Sequence, residues 1–278
     1  MNNIRYKRRK LTQKIMFLFS TLSAVAGIII LFLILGYIVY QGAGGINLDF
    51  FTKLPTPVGV SGGGMSNALI GSFYLISLAS IISIPGGILT GIYLSEYGRG
   101  LFASSVRFMS ETLTGVPAII IGIFAYSVIV VPMKRFSAIA GAFALSILML
   151  PIITKSTEEI LRMVPESLRE ASLALGIARW KTILKVVLST AKSGIITGIM
   201  LAIARIGGEA APLLFTAFGN SYMNLRPDQP IASLPVQLYV YAISPYEDWH
   251  KKAWAAALVL IVIVLITNIM ARIYARSK

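Results

Sequence analysis

Long apolar runs, separated by short clusters of basic residues, dominate the hydrophobic pattern of this sequence. No charged residue occurs among the 42 positions from Leu54 to Ser95, and further uncharged runs cover Ser20–Tyr40 and Ala253–Ala271. Each run exceeds the roughly 18 apolar residues that indicate a membrane-spanning helix. The whole pattern predicts six spans, at Ile15–Tyr40, Asn67–Ser95, Thr112–Val131, Ser137–Thr154, Ser193–Phe218 and Ala253–Ile273. The predicted fold class is therefore an all-α polytopic membrane protein.

The composition excludes several classes of protein. With 56% hydrophobic and only 13% charged residues, the chain falls outside the range of soluble enzymes, in which about a quarter of the residues are charged. Cysteine is absent, which excludes disulfides, thiolate metal sites and a cysteine nucleophile. We find no pattern that predicts a metal or cofactor site.

The distribution of basic residues predicts membrane topology. A net charge of +14 would suggest nucleic acid if the cations formed one stripe, but they cluster between the apolar runs, so we expect no nucleic-acid partner. With six spans both termini share one side, and 18 of the 25 Lys and Arg residues fall on that side. Six fall on the other side, and Arg205 lies inside a predicted span. The positive-inside rule therefore predicts cytoplasmic N- and C-termini.

The first apolar segment has two interpretations. A basic start followed by an apolar stretch and small residues also fits a cleavable signal peptide. The apolar stretch here, however, holds about 26 residues, whereas a signal-peptide core holds about 7 to 15. We therefore expect an uncleaved first transmembrane helix.

Arg205 and Glu209 are the two charges in an otherwise uncharged stretch from Ser193 to Leu225. On one continuous helix, a spacing of four residues places both side chains on the same face. A charge at the bilayer centre costs about 2.5–3.5 kcal/mol on insertion scales, so we expect both to face the bundle interior or a water-filled cavity. A structural ion pair is the alternative, but Gly207 and Gly208 between the charges weaken the helix, which favours a translocation pathway.

The chemistry of Arg205 favours an anionic permeant. Guanidinium is a planar fork of donors that stays protonated and matches tetrahedral oxyanions such as phosphate and sulfate. Glu209 would pair with Arg205 when no ion is bound and would moderate its affinity so that the ion can leave. These residue types leave phosphate and sulfate equally open, and barely exclude a cation bound by Glu209.

The longest predicted cytoplasmic loop, at about residues 155–192, carries helical signals. Ser156 and Glu159 form an S-x-x-E capping box, and Pro165 can start a second helix that Gly176 can end. An amphipathic stripe with helical spacing runs along Leu168, Ala171, Ser172 and Leu175. Periodicity alone favours a helix on the bilayer surface over one docked in a partner's groove.

The same loop carries a recognisable motif. Glu170, Ala171, Ser172 and Gly176, followed by Val186 and Leu188, read E-A-S-x3-G-x9-V-x-L. This pattern resembles the EAA loop in permease subunits of binding-protein-dependent ABC importers. In that family the loop sits in a cleft of the ATPase subunit, which reverses the preference for the bilayer surface. The resemblance implies a type I ABC importer permease fold and assigns coupling to Glu170, Ala171, Ser172 and Gly176.

A second segment resembles the phosphate-importing branch of that family. Residues 204–217 read A-R-I-G-G-E-A-A-P-L-L-F-T-A, close to the A-R-x-x-G-E-x-A-P-L-L-F-T-A of those permeases. Weaker likenesses extend from Asn67 to the C-terminus. The resemblance divides the chain into residues 1–66, holding the cytoplasmic tail, first helix and external loop, and a permease domain of five helices at residues 67–278.

The resemblance also implies partners. These are inorganic phosphate, a sister permease that completes the pore, two copies of an ATPase subunit and an extracytoplasmic phosphate-binding protein, all at the inner membrane of a bacterium or archaeon. The sequence contains no Gly-Lys step and hence no Walker A loop, so we expect no enzyme activity in this chain and ATP hydrolysis in a partner. The alternatives are an importer of another oxyanion such as sulfate, or an ion-coupled secondary transporter using Glu209.

The external segment from Gly219 to Lys252 leaves two interpretations open. Its apolar stretch, Ile231–Ile243, predicts either a short interfacial or re-entrant helix that contacts the binding protein, or a lid. Tyr246, Trp249 and Trp254 surround the start of the last span, where aromatic rings suit the headgroup level. We interpret these three residues as membrane anchors.

Overall fold

The computed structural model describes residues 3–57, 59–60 and 62–276, and every regular element in these ranges is a helix. Residue 1, which begins the first predicted domain, and residue 278, which ends the second, lie outside these ranges. The helices are α1 (Asn3–Ala43), α2 (Leu48–Thr52), α3 (Ser66–Tyr97), α4 (Gly100–Gly115), α5 (Ala118–Met133), α6 (Ala138–Arg162), α7 (Glu166–Ala174), α8 (Arg179–Ile206), α9 (Ala211–Leu214), α10 (Leu234–Ala242) and α11 (Glu247–Arg276). Three of them contain π-helical stretches, at Tyr93–Tyr97, Tyr126–Val130 and Ile183–Val187.

Five helices, α1, α3, α6, α8 and α11, are long and apolar enough to cross a membrane. A sixth crossing requires the pair α4 and α5, which are bent by 106° relative to each other. The predicted third span, Thr112–Val131, is therefore not one straight helix. Pro117 explains the break, because it disfavours helical backbone at Val116, which is extended (φ −71°, ψ 130°).

The centre of the fold is the contact between α3 and α6, which run parallel. Every fourth residue of α3 is buried, and most of these residues are small: Gly71, Leu75, Ala79, Ser83, Gly87 and Gly91. Gly87 lies against Ile153, and Gly91 against Thr157. A Cβ atom added at either glycine would come within 2.7 Å of its neighbour's Cβ atom. The Gly87/Gly91 pair thus lets the two backbones approach closely.

Helix α8 packs antiparallel to α6 through a second pair of glycines four residues apart. Gly194 lies against Ile160, and Gly198 against Ser156. Continuing this register by seven residues places Arg205 level with Met149, near the midpoint of α6. Because α6 crosses the bundle from end to end, Arg205 lies near the middle of the predicted membrane.

The predicted coupling loop, at about residues 155–192, begins later in the structure than the sequence suggests. Ser156 does not start a helix: α6 continues to Arg162, and the Ser156 hydroxyl donates to the carbonyl of Ile153. The capping-box prediction was wrong because residues after Thr154, among them Thr157 and Leu161, are still buried in the bundle and continue the helix. Pro165 does precede a new helix, as predicted, since α7 begins at Glu166.

Helix α1 and the external segment complete the chain. The apolar window of α1 is 0% buried, and the helix meets α11 near its C-terminal end, where Tyr37 and Trp254 pack edge to face at 5.3 Å. The apolar stretch after Gly219 contains the short helix α10, whose Tyr241 stacks on Trp249 at 4.3 Å. The Leu234 amide of α10 donates to the Ser72 hydroxyl of α3 (2.7 Å). The external segment is thus attached to the central helix pair.

Replacing Gly87 with alanine should lower the free energy of unfolding by about 1–3 kcal/mol, because the new methyl group would overpack the contact with Ile153. Gly86 is the matched control: a Cβ atom there would meet only Leu150 Cδ1, at 3.5 Å. Gly86→Ala should therefore be neutral or stabilising by up to about 1 kcal/mol. Thermal unfolding of the detergent-solubilised protein measures both, and equal midpoints for the two variants would contradict the packing argument.

Candidate translocation and coupling sites

The first candidate site lies where α8 ends. The helix stops at Ile206, and Glu209 follows in a turn in which its amide donates to the Ile206 carbonyl (3.1 Å). The prediction that Arg205 and Glu209 share a face of one helix was therefore wrong. Gly207 and Gly208 cost helix stability, and Pro212 cannot continue a preceding helical hydrogen-bond ladder.

Arg205 itself lies on the surface of the chain. Its side chain is exposed, and among the described residues no carboxylate approaches its guanidinium within the 4.0 Å of an ion pair. Glu209 is half-buried. The expected burial of Arg205 inside the bundle is thus not provided by this chain alone. A cation at mid-membrane depth, with free donors, is presented to whatever covers this face.

The backbone beyond Arg205 is irregular from residue 207 to 219 except for the single turn α9. Irregular backbone at membrane depth is tolerated only where protein or a water-filled cavity surrounds it. Here the Thr216 carbonyl accepts from the Ser137 amide (3.0 Å), and the Ala217 carbonyl accepts from Ile231 (3.3 Å). Gly122 lies directly against the backbone of Pro212. The segment is therefore held by α5, α6 and the external chain.

The second candidate site is the hairpin of α7 and the start of α8. Arg169 of α7 donates to both carboxylate oxygens of Glu96 at the end of α3, at 2.7 and 3.3 Å. The remaining Arg169 donors reach the carbonyls of Leu161 and Val164 and the carboxylate of Glu166. The side chains of Arg169 and Glu96 are only 13% and 7% exposed. The hydrogen bond to Glu96 raises the pKa of Arg169, so its guanidinium stays charged.

The four predicted coupling residues lie together in this hairpin but face different ways. Glu170 and Ala171 are exposed. Ser172 is buried, and its hydroxyl lies 2.9 Å from that of Thr182 in α8, which explains why a small residue occupies this position. Gly176 follows α7 with φ +74°, a left-handed conformation that favours glycine at a helix end.

The outer face of the hairpin is apolar and has no cover within the described chain. Leu175 and Met163 are each 80% exposed, and Trp180 and Leu173 are 57% and 47% exposed. Leu168, Ala171 and Leu175 of the predicted amphipathic stripe therefore face outward, whereas its fourth member, Ser172, is buried and, with Arg169, attaches the hairpin to its own chain. Exposed large apolar side chains of this kind are typical of a protein or membrane contact.

Sequence reasoning missed the ion pairs that fix this end of the molecule. Glu96 and Arg169 are 73 residues apart, and a second carboxylate, Glu158, accepts from Arg107 of α4 at 2.7 Å and forms an ion pair with Arg162 at 2.6 Å. One signal was available. Glu96 is the charge that ends the 42-residue uncharged run, and an acid at that position needs a cationic partner.

Removing one member of the Glu96–Arg169 pair should destabilise the protein more than removing both. Arg169→Gln leaves Glu96 largely buried without a partner, and breaking a buried pair in this way costs about 3–5 kcal/mol. In the double variant Glu96→Gln and Arg169→Gln neither charge remains. A double-mutant cycle of thermal unfolding in detergent should give a coupling free energy of about 1–3 kcal/mol. Strictly additive effects would show that the pair does not hold the hairpin.

Known proteins resemble the chain both in sequence and in fold. Residues 83–278 match the family described as binding-protein-dependent transport system inner membrane component. The chain is 44% identical to the phosphate transport system permease protein PstA of Haemophilus influenzae, over 99% of this chain and 98% of that protein. It is 46% identical to PstA of Xylella fastidiosa strain Temecula1, over 96% and 93%.

Solved structures confirm the fold at low sequence identity. A chain of a bacterial alginate ABC transporter, in complex with a periplasmic protein that holds an alginate pentasaccharide, superposes with a TM-score of 0.65 at 14% identity, covering 100% of this chain and 98% of that one. A chain of the inward-facing MetNI methionine ABC transporter gives 0.59 at 18% identity, covering 76% and 93%. The predicted type I ABC importer permease fold is thus confirmed, and the chain belongs to the PstA family of phosphate transport permeases.

Proposed function

We propose that this chain is the multi-pass inner-membrane permease subunit of an ATP-driven importer of inorganic phosphate. It forms half of the translocation pathway and couples to an ATPase subunit that hydrolyses the ATP. The observation that carries the proposal is Arg205, an exposed guanidinium at mid-membrane depth beside a broken helix, in a chain closely related to phosphate permeases.

The position of Arg205 favours a role in the pathway. Facing lipid at this depth would cost about 2.5–3.5 kcal/mol, so the surface around it belongs against water or another subunit. The free guanidinium donors of Arg205 suit a tetrahedral dianion, which accepts several charge-assisted hydrogen bonds at once. Glu209, four residues on in the irregular segment, is placed to balance this charge when phosphate leaves.

The uncovered surfaces support specific partners. The sister permease PstC would cover the face that presents Arg205 and complete the pore. The PstB ATPase dimer would receive the α7 hairpin, where the exposed Leu175 and Trp180 offer an apolar contact. The binding protein PstS would deliver phosphate at the end formed by α10 and the external segment. In this proposal both termini and the hairpin lie in the cytoplasm, the orientation that the distribution of basic residues predicts.

The mechanism we propose is alternating access. Closure of the ATPase dimer moves the α7 hairpin, and the ion pair between Arg169 and Glu96 passes that motion to α3. The contact of Ser172 with Thr182 passes it to α8, at whose far end Arg205 lies. The spans rock, and the Arg205 site opens first to PstS and then to the cytoplasm.

Phosphate uptake into proteoliposomes containing all four components tests the function. Uptake should require ATP and PstS, and Arg205→Gln should abolish it while subunit assembly and ATP binding persist, because only the pathway donor is lost. Arg272→Gln, an exposed cation on α11, is the matched control and should transport normally. Uptake driven by an ion gradient without the ATPase would support a secondary transporter instead. Uptake of sulfate in place of phosphate would identify another oxyanion importer, and full activity of Arg205→Gln would leave that residue a structural role.

Substituting Gly176 tests the coupling role of the hairpin. Gly176→Leu forces a branched side chain into a left-handed backbone conformation, at a cost of about 1–2 kcal/mol, and should misplace the start of α8. ATP hydrolysis should continue while phosphate transported per ATP falls. Gly176→Asn is the control, since asparagine tolerates this conformation best after glycine. An unchanged ratio of transport to hydrolysis in Gly176→Leu would argue against coupling through this turn.

A further inference from the structure

A cavity of about 540 Å³ lies between the end of α3 and the α7 hairpin, at the end of the molecule that we place in the cytoplasm. Four arginines from separate parts of the chain line it: Arg99, Arg162, Arg169 and Arg179. Two carboxylates, Glu96 and Glu166, also line it. We propose that this cavity is a second anion site, distinct from Arg205, that binds a phosphoryl dianion and restrains the coupling hairpin.

Glu96 and Arg169 form the floor of the cavity, and their opposite charges compensate each other. All three guanidinium nitrogens of Arg169 donate to protein oxygens, two of which belong to Glu96. The buried carboxylate of Glu96 is therefore matched by Arg169 and does not repel an incoming anion. The charge available to a ligand therefore comes from the other three arginines, Arg99, Arg162 and Arg179, which form the rim of the cavity.

The rim carries an excess of positive charge. Arg99 is exposed and has no ion-pair partner among the described residues. Arg162 pairs with Glu158 through Nη2, and Arg179 donates from Nη2 to the Glu96 carbonyl, so within the described ranges each keeps its Nε and Nη1 donors free. Opposing them is Glu166, whose side chain is 75% exposed to solvent. Three guanidinium groups converging on one cavity suit an anion with several acceptor oxygens.

The size and walls of the cavity define the ligand class. Its volume falls within the roughly 300–1,000 Å³ typical of small-molecule sites and exceeds what one phosphate ion fills. Val164, Leu173 and Ile183 add apolar wall. Free phosphate and a small phosphate ester present the same dianionic group to the rim, so both belong to the class.

The location of the rim gives the site a consequence for transport. Arg99 lies between α3 and α4, Arg162 ends α6, and Arg179 starts α8. A dianion that bridges them fixes the hairpin to the membrane helices. Since the proposed function requires the hairpin to move with the ATPase, occupancy should slow transport from the cytoplasmic side. This consequence rests on the proposed function, whereas the binding site itself does not.

Binding is measured on the complex of both permeases with the ATPase, assembled without PstS and carrying Arg205→Gln, which removes the pathway site. Equilibrium dialysis with radiolabelled inorganic phosphate and with glucose 6-phosphate distinguishes the two ligand sources. Adding Arg99→Gln and Arg162→Gln together should weaken binding about tenfold or more, because two charged donors are lost. Arg99→Lys should retain most of the affinity, and Arg272→Gln should have no effect. Binding that is absent, or equally tight without both rim arginines, overturns the site.

Transport separates this inference from the proposed function. Proteoliposomes preloaded with the ligand that binds, on the side that holds ATP, should import phosphate more slowly, and Arg99→Gln should relieve the inhibition without changing the uninhibited rate. ATP-driven import that is insensitive to the internal ligand would overturn the regulatory role and leave the proposed function intact. Failure of import altogether would overturn the proposed function, while the dialysis result would still decide the binding site.

Discussion

The close parallel contact between α3 and α6 is the constraint on which the other features depend. Without a hydrophobic effect between helices in lipid, small residues that let backbones touch supply the packing. The stripe containing Gly87 and Gly91 provides this along the C-terminal half of α3. At their N-terminal ends the two helices hold the external segment and the irregular chain after Arg205. At their C-terminal ends they present Glu96 and Glu158 to the arginines that fix α4 and the hairpin.

The end of α8 at Ile206 gives up a regular helical backbone at a position where the proposed function needs Arg205 exposed. A helix that continued to Phe218 would satisfy its own backbone, which is the cheapest solution in a membrane. The chain instead ends α8 at Ile206 and satisfies the next residues through contacts with Ser137, Ile231 and α5. Such an arrangement is tolerated where irregular backbone is surrounded by protein or borders a water-filled path. It frees the end of α8, and with it Arg205, to face outward from this chain.

The sequence predicted the features that periodicity and spacing encode locally. Apolar runs located the spans, because such a run depends on one helix at a time. The break after Ile206 escaped prediction, since two glycines cost only about 1 kcal/mol each and neighbouring elements decide such a balance. Ser156 and Glu159 matched a cap but lie inside α6 because their neighbours are buried. The pairing of Glu96 with Arg169 depends on the folded arrangement of two distant segments.

Helix α8 connects the two candidate sites mechanically. It runs from Arg179, beside the hairpin, to Arg205 at mid-membrane, about 39 Å at 1.5 Å per residue. Its N-terminal end is attached to α7 through Thr182, and its middle packs against α6 at Gly194 and Gly198, where a larger side chain would clash. In the proposed mechanism, a displacement of the hairpin would therefore reach Arg205 along one continuous helix rather than through a chain of side-chain contacts. The π-helical stretch near its start, Ile183–Val187, is the place along this helix where the regular hydrogen-bond ladder is already interrupted, so bending there requires the least new disruption.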